Sequence, residues 1–387
     1  MWYFNSPLMV FGEGALSELA MIEGKRAFIV TDANIARLGY VDMVGQQLRA
    51  AGLEYRVFAE VEPDPSLETV NRGAEQMRQF APDWIIGLGG GSSMDAAKAM
   101  WVLYEHPEMV PEEINPIVPL KLRQKARLIT IPTTSGTGAE ASWGIVLTDP
   151  KEGRKLALGS RENMADMAIV DPVFAATLPA QITADTGMDA LTHAVEGYTS
   201  TWRNDFCDGL CLVATKLVFT YLPRAVTDGS DMGAREKMHN AASIAGLGFG
   251  NSMAALAHAM AHSLGAVFHT PHGRAVGLFL PYTVEFVGDV MAARYADLAR
   301  FVDISGATTQ QPARLLADHI RDLAERIKQP LSLQKAGITL EQFEARLPKL
   351  VANAESDATL VVSMRIPDSA ELERLYRYAF VGTPVDF

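Results

Sequence analysis

Along its first half the chain alternates two hydrophobic periods. Short apolar runs at residues 26–31, 55–59, 83–88 and 128–132 predict buried strands. Between them, apolar positions recur at helical spacing over 41–51, 66–80 and 93–104, with Val70, Ala74 and Met77 on one face of the second helix. Alternation of this kind predicts an open parallel sheet covered by helices on both faces. Further strands are predicted at 143–148, 155–158 and 167–170, after which Asp171-Pro172 ends the strand pattern. From about Ala184 the pattern is helical, broken by Pro223, Pro271, Pro281, Pro330, Pro348 and Pro367. The predicted architecture is α/β plus all-α: a Rossmann-like parallel-sheet nucleotide domain over 1–178 and a helical domain over 179–387. The boundary is expected near 175–180, and a cleft between two such domains is where a site is expected.

Composition narrows the function classes. The chain has 387 residues, enough for two cores, and 48% of them are hydrophobic, as in a folded globular protein. A net charge of -12 argues against nucleic-acid and anionic-membrane partners. With Cys207 and Cys211 as its two cysteines, the chain has no disulfide framework, which points to a reducing, cytoplasmic setting and to two small buried side chains. Residues 1–10 carry no basic residue before their apolar part and do not read as a signal peptide. Residues 241–270 lack Asp, Glu, Lys and Arg, but Asn251, Ser252, His258 and His262 interrupt them. They read as buried helices rather than a membrane span.

The run Gly87-Leu88-Gly89-Gly90-Gly91-Ser92-Ser93 joins a predicted strand to a helix expected to start at the serines, with Ser92 or Ser93 as its cap. Glycines let backbone approach a ligand, and the helix start offers free N–H groups to a pyrophosphate. The same run also serves simple packing, so spacing alone does not decide. Asp32, at the end of the first strand, suits a ribose 2′-OH and repels a 2′-phosphate. Thr133, Thr134, Ser135, Gly136 and Thr137 follow the fourth strand, at the carboxyl edge where parallel sheets bind ligands.

Asp189 and His193 are four residues apart, as are His258 and His262, so each pair shares a helix face. His269 and His272 follow. Four of the chain's eight histidines thus fall between residues 258 and 272. Imidazoles joined by a carboxylate in apolar surroundings suit a divalent transition metal better than a merely structural role. Spacing does not say which histidines bind.

Taken together, Phe11-Gly12-Glu13-Gly14-Ala15, the glycine turn through Lys98, residues 132–140, and the pair of segments 185–196 and 258–273 closely resemble the iron-containing (group III) alcohol dehydrogenase family. The resemblance covers nearly the whole chain. It implies a dehydroquinate synthase-like fold and metal ligands at Asp189, His193, His258 and His272. His262 matches the family's active-site histidine, which is not a ligand. The cofactor residues it implies are Asp32, Gly89, Gly90, Ser92, Asp95, Thr133, Thr134, Thr137 and Lys155, with NAD as cofactor. Fe²⁺ is the implied metal and Zn²⁺ the alternative, and the family's dimers or larger homo-oligomers are the implied assembly. The role of His269 stays open.

The expected activity is therefore an NAD- and divalent-metal-dependent alcohol dehydrogenase interconverting a small primary alcohol or diol and its aldehyde. Trp143, Phe249, Met253 and Phe268 are expected to line an apolar pocket. Two rivals on the same scaffold are glycerol dehydrogenase and dehydroquinate synthase. The latter needs basic residues for an anionic substrate, and near the ligand segments only Arg274 offers one, with Lys98 and Lys155 able to approach from the first domain. A non-catalytic metal- or nucleotide-binding protein is the remaining alternative.

Overall fold

The computed structural model describes residues 3–150, 154–304 and 311–387. Met1 and Trp2, the start of the stretch weighed above as a leader, lie outside them. The chain divides into two units, Met1–Thr177 and Leu178–Phe387.

In the first unit the described elements are β1 (Leu8–Phe11), β2 (Arg26–Val30), α1 (Ala33–Arg37), α2 (Tyr40–Ala50), β3 (Glu54–Phe58), α3 (Leu67–Phe80), β4 (Trp84–Gly89), α4 (Gly91–Glu105), β5 (Arg127–Pro132), β6 (Gly144–Asp149), β7 (Arg154–Gly159) and β8 (Met167–Val170). Six strands form one parallel sheet in the order β1-β8-β5-β4-β2-β3. Period-2 alternation sorts their side chains between two cores. Phe28, Val30, Ile85 and Leu128 pack beneath Met100 and Trp101 of α4. Ala27, Ile29, Ile86 and Ile129 face Val44 and Leu48 of α2. The predicted strands at 143–148 and 155–158 are β6 and β7, and they stand apart from this sheet as an antiparallel pair. Strand β1 was not expected.

Strand order marks the ligand-binding edge expected of such a sheet. From β2 the chain moves outward to β3, whereas from β4 it moves the other way to β5. The carboxyl ends of neighbouring β2 and β4 are therefore the topological switch point, the crevice where open α/β sheets bind ligands. Asp32 follows β2, and the glycine run ends β4 and opens α4.

The second unit holds α5 (Ala180–Thr199), α6 (Asp205–Thr227), α7 (Met232–Phe249), α8 (Leu256–Phe268), α9 (His272–Val287), α10 (Ala292–Phe301), α11 (Pro312–Arg326), α12 (Leu340–Glu355) and α13 (Ser369–Val381). Helix α5 is buried along nearly its whole length. Small residues bring α6 and α7 against it. A β-carbon at Gly197 would lie 3.0 Å from Cys211 Sγ, and one at Gly248 only 2.6 Å away. Cys211 thus fills the gap that those glycines leave; both cysteines are free and buried. Pro223, Pro281 and Pro348 lie inside α6, α9 and α12 rather than breaking the pattern as expected. The apolar faces on either side of each proline keep packing into one core, which outweighs one lost backbone hydrogen bond. Among the described residues α6 is also long and apolar enough to cross a membrane, with 39% of that window buried. The uncharged stretch singled out in the sequence instead supplies core residues such as Ala257, Met260 and Leu264.

Candidate active site

At the switch point the glycine turn, the threonine loop and Asp32 lie together. Helix α4 begins at Gly91 with Gly90 as its N-cap and no side-chain cap, so the helix starts one residue before the serines and neither of them caps it. Gly89 sits at φ +150°, and a β-carbon there would strike Ser93 Oγ at 2.5 Å. Only glycine lets the strand turn here while the helix start stays open. A β-carbon at Gly90 would lie 3.5 Å from Thr134, and one at Gly91 3.1 Å from Thr137. Thr133 N–H donates to Gly89 carbonyl at 2.9 Å, which ties the threonine loop to the turn. Thr134 Oγ1 is buried with no hydrogen-bond partner among the described residues. Asp32 caps α1, its Oδ1 accepting from Asn34 N–H at 2.7 Å and Ile35 N–H at 3.1 Å. Its other oxygen, Oδ2, lies 3.7 Å from the position of a β-carbon on Gly89.

Further residues assigned to the cofactor also have protein partners. Ser92 Oγ accepts from Asp64 N–H at 3.2 Å. Lys155 is 2.7 Å from Asp64 Oδ1. Asp95 is buried, accepting from Val146 N–H at 2.9 Å beside Lys98 at 3.6 Å. Lys98 in turn donates to Gly144 carbonyl and is fully buried.

In the second unit Asp189, His258 and His272 each place a donor atom within 4.8 Å of the others. Asp189 Oδ1 is the hub, 3.6 Å from His272 Nε2, 3.7 Å from His193 Nδ1 and 3.9 Å from His258 Nε2. These spacings are close to the roughly 3.4 Å between donor atoms that sit about 2.1 Å from one tetrahedral ion. Asp189 Oδ1 and His258 Nε2 are buried without a hydrogen-bond partner among the described residues. Buried polar atoms are seldom left so, and a cation satisfies them. The donor set therefore fits a divalent metal.

Local structure explains the convergence. Asp189 and His193 stack a turn apart on α5, and His258 and His262 do so on α8. His272 opens α9 directly after Pro271. A β-carbon on Gly273 would lie 2.3 Å from Asp185 carbonyl, so the bare glycine is what lets α9 approach α5 closely enough to deliver His272. The Phe249 ring stacks on His193 with centroids 3.9 Å apart. Phe268 lies further off, lining a groove with Val267 and the start of α12.

Two carboxylates that were given no role in the sequence complete the site. Glu196 Oε2 lies 2.6 Å from His258 Nδ1, and the same carboxylate accepts Ala255 N–H at 2.8 Å and Ala257 N–H at 2.5 Å. Glu196 follows His193 by three residues on the same helix face, a signal present in the sequence. Asp357 Oδ2 lies 2.8 Å from His262 Nδ1. It is 95 residues distant, and no spacing rule points to it. His262 stacks on His272 at 5.3 Å. Burial pushes the Asp189 carboxyl up to about 7, against the opposing pull of His258. For His258 burial works downward, but Glu196, Asp189 and Asp357 outweigh it and raise the imidazole above its ordinary value. Burial would raise Asp357; its hydrogen bonds from His262 and Thr359 prevail and hold it at about 2. Arg274, the basic group nearest the ligands in sequence, is held by Asp185 at 3.0 and 3.1 Å.

A parallel-sheet unit with an open helix start at its switch point, and a helical unit whose aspartate–histidine donor set fits a divalent metal, are features shared by nicotinamide-linked metal oxidoreductases. Residues 6–172 match the model of the iron-containing alcohol dehydrogenase family, and residues 183–380 match the C-terminal model of the Fe-containing alcohol dehydrogenase family. The chain is 40% identical over 390 residues to the NADPH-dependent butanol dehydrogenase of Clostridium saccharobutylicum, covering 100% of both. It is 38% identical over 383 residues to the aldehyde-alcohol dehydrogenase of Streptococcus pneumoniae serotype 4, covering 92% of this chain and 43% of that one. It therefore spans less than half of that relative's length. Among solved structures, a 1,3-propanediol oxidoreductase superposes with a TM-score of 0.91 at 32% identity, covering 98% of this chain and 100% of the other. The chain belongs to the iron-containing alcohol dehydrogenase family, and membership makes it an alcohol oxidoreductase.

Proposed function

We infer that this enzyme is an NAD- and divalent-metal-dependent alcohol dehydrogenase that interconverts a small primary alcohol or diol with its aldehyde. The observation that carries this reading is the buried, unpartnered Oδ1 of Asp189 among three imidazoles. Asp189, His193, His258 and His272 are the ligands in this reading; family membership favours Fe²⁺, and the same nitrogen and oxygen donors also suit Zn²⁺. Held there, a divalent ion would supply Lewis acidity to the alcohol oxygen, and a bound nicotinamide would be the hydride acceptor. Glu196 holds His258 with Nε2 toward the cluster, and His262 accepts the hydroxyl proton. The α4 N-terminus receives the pyrophosphate, while Asp32 hydrogen-bonds the ribose and repels a 2′-phosphate. That preference is argued from Asp32 itself, since the butanol dehydrogenase relative is named NADPH-dependent.

Butanol and propanediol, named for the relatives, are the substrate size this reading expects, and Phe249 beside His193 offers an apolar wall. A phosphorylated, anionic substrate of the dehydroquinate synthase kind fits less well, because the Arg274 guanidinium is already paired with Asp185. The test is a metal-depleted preparation reconstituted with Fe²⁺ or Zn²⁺ and assayed at the NADH absorbance band with butanol and 1,3-propanediol. Turnover should depend on added metal, and His258→Ala should lose metal and activity together. Full activity without metal, or none with any alcohol despite bound metal and NAD, overturns the reading.

A further inference from the structure

The geometry points to Asp357 and Thr359 as a pair of positioning residues that decide which ring nitrogen of His262 carries the proton. This rests on the reading that His262 accepts the hydroxyl proton, and deepens it.

Asp357 uses its two oxygens differently. Oδ2 faces His262 Nδ1 at 2.8 Å. Oδ1 accepts from Thr359 N–H at 2.9 Å and from Thr359 Oγ1–H at 2.7 Å. A backbone N–H can only donate, so the Oδ1 position must hold an acceptor. The carboxylate, itself acceptor-only, then forces Nδ1 of His262 to be the donor and leaves Nε2 with the lone pair. The frame around the contact is fixed. Asp357 N–H donates to Ala354 carbonyl at the end of α12, and Leu360 N–H donates to Asp357 carbonyl. Ser263, next to His262, bonds Leu350 carbonyl at 2.8 Å and binds α8 to α12. The imidazole is thus held at Nδ1 by a turn anchored to the end of α12.

The test follows from the asymmetry. In Asp357→Asn the amide oxygen must occupy the Oδ1 position to satisfy Thr359 N–H, which turns the NH₂ group toward His262. The ring can then only accept at Nδ1 and must carry its proton on Nε2. The equivalent exchange in serine-protease triads lowers turnover by about 10⁴-fold through the wrong tautomer. We expect a drop in kcat of at least roughly 100-fold, the range general-base removal commonly gives, with metal content and NADH binding unchanged. Selective ¹⁵N-histidine NMR of the diamagnetic Zn²⁺-loaded enzyme reads the tautomer directly and independently of turnover. A second variant, Asp357→Asn with the α-hydroxy acid analogue of threonine at position 359, replaces the N–H that orients the amide by an ester oxygen. This keeps the turn that Leu360 N–H closes on Asp357 carbonyl, where proline at position 359 would push Ala358 out of the helical region. Its asparagine is free to present oxygen to His262, and the original tautomer and most of the activity should return. A single variant that keeps the proton on Nδ1, or a double variant that restores nothing, overturns the assignment. A swapped tautomer with unchanged kcat overturns its catalytic meaning, while absence of turnover in the parent enzyme counts against the dehydrogenase reading alone.

Discussion

His258 directs Nδ1 to Glu196 at 2.6 Å and so turns Nε2, its buried unpartnered nitrogen, toward Asp189 Oδ1 at 3.9 Å. One ring contact therefore settles which atom the cluster receives. The remaining lone pairs of Glu196 accept Ala255 and Ala257 N–H, so the same carboxylate also anchors the first turn of α8. Orienting partners of this kind also raise ligand basicity.

Glu196→Gln tests the role toward His258. The amide oxygen can still accept one of the two α8 N–H groups, its NH₂ group faces the other, and the charge opposite His258 is gone. Metal affinity should fall about 10- to 100-fold, as for other carboxylates behind metal-bound histidines, with helix content retained. Competition against a chelator of known affinity checks this. An unchanged metal dissociation constant means that Glu196 serves the helix only.

Asp32 supplies a cofactor prediction with little structural confusion. It caps α1, and replacing an aspartate cap with glycine costs only a few tenths of a kcal/mol. Asp32→Gly should therefore fold normally. Removing the anion beside the glycine turn should raise kcat/KM with NADP relative to NAD by roughly tenfold or more, since a like-charge contact costs several kcal/mol. If the ratio of the two cofactors stays where it was, Asp32 does not meet the 2′ position.

Much of this arrangement was legible in the sequence, and the misses have physical causes. The buried strands announced themselves because both faces of the sheet are covered, giving Ile85-Ile86 and Leu128-Ile129 no polar interruption. Strand β1 has four residues and exposed ends, too short to show a period. The antiparallel pair β6–β7 has the same side-chain period as a parallel strand, so pattern alone assigned it no sheet. Serine next to a helix start suggested a cap, whereas Gly90 holds that position, directly after the turn that Gly89 makes at φ +150°. The residues proposed as ligands on α5 and α8 stood out through i, i+4 spacing. Glu196 lay on that same face and went unassigned, while Asp357 reaches His262 only through the packing of α12 against α8, which no local pattern encodes.

The buried carboxyl of Asp189 gives the metal-free protein a distinctive response to pH. Burial raises it from 3.8 to about 7, His258 opposing. With the folded value above the unfolded one, the native chain binds more protons than the unfolded chain between about pH 4 and 7. The slope of stability with pH from this group is therefore negative in that window, with stability highest below about pH 4. The shift corresponds to on the order of 4 kcal/mol. Asp189→Asn removes the titration. Without metal, the variant should resist urea better than the parent at pH 8 and lose that advantage at pH 4. A divalent cation replaces the proton on Asp189, so loading the parent should cancel its disadvantage at pH 8, whereas the variant should gain far less. Urea midpoints measured for both proteins at both pH values, with and without Zn²⁺, decide the matter. Parallel pH profiles for the metal-free parent and variant would mean that Asp189 is ionised in the empty cluster, and that something other than the missing cation already neutralises it.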